Sequence, residues 1–155
     1  MNQIIEYCPN LIYKGLCPGT LTSYHYDRLN HLQLFKYACE LNNIHTINHI
    51  IDSSINTLYF TLSCEVGNIR VVQLMIEKGA TVWNWGLEGA CEGGHLDLAK
   101  LMIEKGANWW DGGLRGVCEG GHLDLVRLMI EKGATGFSVS DGYPSNVNKI
   151  LKQYR

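Results

Sequence analysis

Between residues 87 and 104 the apolar positions follow a helical period. Leu87, Ala90 and Cys91 fall at i, i+3 and i+4 with Glu88 and Glu92 on the other side, which predicts a short amphipathic helix closed by Gly93 and Gly94. A second helix follows, in which Leu96, Leu98, Ala99, Leu101, Met102 and Ile103 surround the axis and leave only Asp97, Lys100 and Glu104 as a narrow polar stripe. A helix so apolar is covered on several sides. Gly106 supplies a left-handed residue that ends it, and residues 107–113 carry the chain as a loop to the next element.

This helix pair recurs. The phrase LMIEKGA begins at Leu74, Leu101 and Leu128, a constant step of 27 residues. The same step links Cys64, Cys91 and Cys118, then Glu65, Glu92 and Glu119, then Gly67, Gly94 and Gly121; His95 and His122 match, with Asn68 in the earlier copy. Upstream, Phe35, Cys39, Glu40 and Ile44 align with Phe60, Cys64, Glu65 and Ile69 at a step of 25. One such pair cannot bury its apolar surface alone, whereas stacked copies make a continuous core. The expectation is an all-α solenoid of about four helix-turn-helix units over residues 34–135, the first degenerate. Residues 1–33, with Tyr7, Tyr13, Tyr24 and Tyr26, are expected to form a partly ordered cap. Residues 136–155 are expected to form a C-terminal cap helix starting at Pro144 and burying Val147, Ile150 and Leu151, with Lys149, Lys152 and Arg155 facing water.

The unit LEGACEGGHLDLAKLMIEKGAN resembles an ankyrin repeat, with a small-residue first helix, a Gly-His turn, an apolar second helix and a closing Gly-Ala. The resemblance is strong over residues 60–135 and extends back to Leu34. It departs from the family in two respects. The family unit opens with Thr-Pro-Leu-His and repeats every 33 residues, whereas these units open with Trp85-Gly86-Leu87-Glu88 and Gly112-Gly113-Leu114-Arg115 and repeat every 27. The resemblance therefore implies shortened inter-repeat loops and a reduced projecting finger. The short period is most similar to the ankyrin arrays of giant DNA viruses of amoebae, which would place the protein in a host cytoplasm.

Composition narrows the functional classes. The 13 Lys and Arg against 15 Asp and Glu give a net charge near −2, and no basic stripe lies beside the tryptophans, so nucleic acid is not the expected partner. No apolar run approaches the roughly 18 residues of a spanning helix, and Met1-Asn2-Gln3 lacks the basic start of a secretory signal. Glycine is high, 17 residues in 155, and with only 3 prolines it suggests tight helix ends and turns. The six cysteines show no CxxC pair. In stacked repeats equivalent Cα atoms stand about 10 Å apart, beyond the ~7 Å disulfide limit. Cys39, Cys64, Cys91 and Cys118 read as small core residues, and six thiols without a disulfide framework favour a reducing, intracellular compartment.

The copies agree at some positions and differ at others. Trp83, Trp110 and Phe137 recur at the 27 step in the loops between units and read as seals between repeats. Trp85 and Trp109 each occur in one copy only, so no architectural need explains them. The slot Thr61, Glu88, Arg115 and its neighbour Leu62, Gly89, Gly116 also vary, and the ankyrin resemblance places both on the inner face of the stack beside the acidic row Glu65, Glu92 and Glu119. The resemblance implies that His95 and His122 tie adjacent turns by hydrogen bonds. These readings make the chain a monomeric, non-enzymatic module without cofactor that binds another protein, with Thr61, Glu65, Trp85, Glu88, Glu92, Trp109, Arg115 and Glu119 as contacts. No GxSxG elbow, phosphate loop or HExxH helix points to catalysis. The alternative is a metal or thiol site in the degenerate first unit, where His45 and His49 stand at i and i+4 near Cys39.

Overall fold

The computed structural model describes residues 28–51, 57–136 and 142–154, and every regular element among them is an α-helix. The expected N-terminal cap tyrosines, Phe137 and Arg155 lie outside the described residues. The chain divides into two compact units, Met1–Ser54 and Ile55–Arg155.

In the first unit, α1 (Arg28–Glu40) packs against α2 (Ile44–Ile51). Asn42 turns the chain with φ 52°, one of the few non-glycine residues that tolerate this region. The Asn43 side chain then accepts the Thr46 backbone N–H at 3.2 Å, which starts α2. Phe35, Ala38, Cys39, Ile47 and Ile51 form the buried core.

The second unit contains α3 (Thr57–Val66), α4 (Ile69–Glu77), α5 (Trp83–Glu92), α6 (Leu96–Glu104), α7 (Trp110–Gly120), α8 (Leu123–Glu131) and α9 (Ser145–Leu151). Each odd-numbered helix from α3 to α7 packs on the helix that follows it, and α3, α5 and α7 pack side by side. Residues separated by 27 occupy equal environments: Phe60, Leu87 and Leu114 are buried, as are Met75, Met102 and Met129, and Ala80, Ala107 and Ala134. Gly94 (φ 77°) and Gly106 (φ 107°) close their turns in the left-handed region, as do their counterparts one step away. At the far end α9 packs on α8 and buries Val147, Ile150 and Leu151, with Lys149 and Lys152 exposed, which is the amphipathic helix expected there.

Two expectations are corrected. The loop is confined to residues 107–109 and does not extend to 113, because α7 begins at Trp110 as α5 begins at Trp83; Trp83, Trp85 and Trp110 are therefore helical and Trp109 is an N-cap. Gly112 and Gly113 read as a turn yet serve contact: a Cβ on Gly112 would stand 2.7 Å from the Trp109 ring, and one on Gly113 2.7 Å from the Met129 sulfur. Nor do Gly89 and Gly116 lie on an open face. Both are buried, Gly89 against the Thr61 carbonyl and Gly116 with its Cβ position 2.8 Å from the Glu88 carbonyl. Gly93 and Gly120 meet the Glu65 and Glu92 carbonyls in the same manner. Much of the glycine surplus thus forms a seam along which helix backbones touch, in addition to the turns it supplies.

Side chains at the start of α5 and α7 hold backbone 24 and 25 residues further along the chain. Asn84 Oδ1 accepts the Asn108 and Trp109 N–H groups at 2.8 and 3.1 Å, and one step later Asp111 Oδ1 accepts those of Thr135 and Gly136, both at 2.8 Å. Asp111 to alanine is expected to lower the unfolding free energy by about 2 kcal/mol and Asn84 to alanine by about 1 kcal/mol, the charged acceptor weighing more. Urea midpoints check this; unchanged midpoints would mean that water replaces both clips.

Candidate functional site

α5 and α7 present matching positions to one surface, and the copy-specific residues meet there. Trp85, at the third position of α5, is 45% exposed, and Trp109, the N-cap of α7, is 38% exposed. Their rings stand edge to face, centroids 5.6 Å apart and planes at 80°, the arrangement favoured by aromatic quadrupoles. The reason lies in the repeat register. The position of Trp85 recurs as Gly112, and the Trp109 ring lies over that glycine. One turn further along each helix, Arg115 Nη2 donates to Glu88 Oε1, and the Arg115 guanidinium lies 5.7 Å from the centroid of the Trp109 ring. The hydrogen bond that Arg115 donates to Glu88, with the Glu88 charge, raises the Arg115 pKa above its ordinary value and keeps the guanidinium a cation.

The structure thus gathers Trp85, Glu88, Trp109 and Arg115 into one cluster. The other four predicted residues are placed around it by helical position. Thr61 and Glu65 are half-buried on α3, where Thr61 Oγ1 donates to the Thr57 carbonyl at 2.9 Å. Glu92 and Glu119 are exposed four residues beyond Glu88 and Arg115, on the same helix faces. Leu58, 43% exposed, holds on α3 the position that Trp85 holds on α5, so the apolar row continues. The repeat step marks Leu58 once Trp85 is singled out, although reading the copies for unusual residues passes over a leucine.

Two further residues escape the sequence pattern. A cleft of about 210 Å³ opens beside the cluster between Trp109, Asp111, Arg115, Cys118 and Tyr143. Burial, reinforced by Cys118 and Glu119, pushes the Tyr143 phenol up against the opposing pull of Arg115. Tyr143 belongs to the divergent tail and has no counterpart in the repeat, so no internal comparison could mark it. Asp111 pairs with Asn84 at the 27 step, a shared carbonyl-type oxygen that differs in residue type.

The turn histidines act structurally. Where Asn68 caps α4 by accepting the Arg70 and Val71 N–H groups, both at 3.1 Å, His95 and His122 make no such cap. His95 Nε2 instead donates to the Glu65 carbonyl at 3.0 Å, and the two rings lie over Gly67 and Gly94 of the preceding turns. Trp83 meets Phe60 edge-on at 6.0 Å, consistent with a sealing role.

In the first unit His45 and His49 are exposed while Cys39 is buried. Burial, helped by the Glu40 charge, pushes the Cys39 thiol up to about 12, so it rests at neutral pH as a neutral thiol and not as the nucleophilic thiolate. Among the described residues no three His, Cys, Asp or Glu side chains group to hold a metal ion. No described helix is long and apolar enough to cross a membrane. Compared with known proteins, the chain matches no family model and no curated protein.

Proposed function

We propose that the protein is a non-enzymatic protein-interaction module, an ankyrin-type solenoid of short period, whose binding face runs across α3, α5 and α7. The observation that carries this reading is the Trp85–Trp109 pair. Tryptophan is the residue most enriched in interface hot spots, and an exposed large ring held in one geometry loses little entropy on docking. The glycine seam and the equal environments at the 27-residue step support the solenoid, since each unit leans on its neighbours as a repeat array requires. On this reading Thr61, Glu65, Glu88, Glu92, Arg115 and Glu119 complete the face, and the variation of Thr61, Glu88 and Arg115 between copies, beside the constant acidic row, gives the partner its register.

The test compares capture of a saturable protein partner from cell lysate by wild type and by the double variant Trp85→Ala, Trp109→Ala, after matching helical spectra. The double variant is expected to hold the partner about thirtyfold more weakly, as loss of a hot spot does. Equal retention by both proteins would place the binding surface elsewhere.

A further inference from the structure

The contacts of Glu88 deepen the interaction reading and rest on it. The Glu88 side chain is only 14% exposed. Its Oε1 accepts from Arg115, whereas its Oε2 is buried without a hydrogen-bond partner. An ionised carboxylate can accept two parallel N–H groups from one guanidinium, the stronger and more specific mode. Arg115 engages it with one prong only, while the same guanidinium lies over Trp109 within the ~6 Å reach of a cation–π contact. The space between Glu88 and Trp109 is therefore shaped and charged for a planar cation. Its present occupant is weakly held, because Arg115 is 52% exposed and exposed ion pairs exchange readily. The charge of Glu119 already acts on Arg115 and can receive it elsewhere.

We infer that Glu88 and Trp109 form an arginine-recognition subsite that Arg115 occupies in the unbound chain. A partner's arginine enters by displacing Arg115, pairs with both Glu88 oxygens and stacks on the Trp109 ring. Arginine is favoured over lysine because only its planar fork matches the carboxylate and the ring together.

The experiment uses the full chain as wild type, Arg115→Ala, and Arg115→Ala combined with Glu88→Gln, each with a native helical spectrum. Arg115→Gln replaces the alanine variant if that one fails to fold. The probe is N-acetylarginine methylamide, with its citrulline analogue as the uncharged control, and the indole N–H resonances of Trp85 and Trp109 report binding. Arg115→Ala is expected to bind the arginine probe about tenfold more tightly than wild type, the advantage of removing an intramolecular surface competitor. The Glu88→Gln combination and the citrulline control are expected to lose that binding. No saturable shift in Arg115→Ala, equal affinity in wild type, or binding that survives Glu88→Gln would each overturn the subsite. If the probe fails while partner capture still depends on the tryptophans, only the arginine subsite falls. If the probe binds while capture ignores them, the interaction-face reading falls instead.

Discussion

Replacing both Gly89 and Gly116 by alanine is expected to destabilise the protein by about 2–5 kcal/mol, against the gain that alanine brings to an exposed helix. The collision partner decides the sign. At Gly89 an added Cβ meets the Thr61 carbonyl oxygen, and at Gly116 it would stand 2.8 Å from the Glu88 carbonyl oxygen. Both are backbone atoms inside a helix and cannot rotate aside as a long side chain can, so α3, α5 and α7 must move apart. Separation weakens every contact along the interface, including the buried rows around Cys64, Cys91 and Cys118. For a chain of this size, a loss of 2–5 kcal/mol corresponds to about 5–15 °C in Tm. Thermal and urea unfolding of the double variant check this, with Glu104→Ala as a surface control expected to stay within about 0.5 kcal/mol. A double variant at least as stable as wild type would mean that the glycine seam does not set the helix spacing.

This seam is also where the sequence was least legible. A glycine that lets two backbones touch and a glycine that ends a helix look alike in one sequence, and the pairing Gly93-Gly94 contains one of each: Gly93 meets the Glu65 carbonyl, and Gly94 turns left-handed. The helix starts at Trp83 and Trp110 were hidden for the same reason, since Gly112-Gly113 carries poor helix propensity and only tertiary contact overrides it. The core was legible because equal positions in a repeat face equal neighbours. Phe60, Leu87 and Leu114 are marked by period alone, and so are the three methionines at the same step.

The candidate site was legible by the opposite logic. Whatever a repeat needs, it needs in each copy, so a residue found in one copy answers to something else. That rule marks Trp85, Trp109, Glu88 and Arg115 from the sequence alone, and the structure brings these four into contact. It could not show that Trp109 leans into the vacancy left by Gly112, nor that one Glu88 oxygen is buried without a partner, because both depend on how neighbouring copies meet. Tyr143, outside the repeat, was beyond its reach.

Urea stability is expected to fall steeply as pH rises above 9, chiefly through the buried thiols. Burial pushes Cys39, Cys64 and Cys91 up to about 12 and Cys118 up to about 11, from an ordinary value of 9.0. For Cys91 the Glu88 charge adds to burial, and for Cys64 the Ser63 hydroxyl opposes it in part. The unfolded chain therefore releases thiol protons from about pH 9, while the folded chain keeps them until its higher values are reached. Stability from these groups is complete below pH 9 and is lost between pH 9 and 12. Each thiol contributes a slope of at most about 1.4 kcal/mol per pH unit in that window, so three acting together approach 4 kcal/mol per unit. The decisive comparison is with Cys91→Ala. Alanine fits this small helical position but carries no proton, and its profile between pH 9 and 10.5 should be shallower by one thiol's share. An unaltered slope in that variant, or a flat wild-type profile to pH 10.5, would show that the thiols ionise in the folded chain as easily as in the unfolded one. The same burial predicts that Cys39, Cys64, Cys91 and Cys118 resist alkylation at pH 8 in the folded chain and react together once it unfolds, which is the behaviour of packing residues and not of a reactive centre.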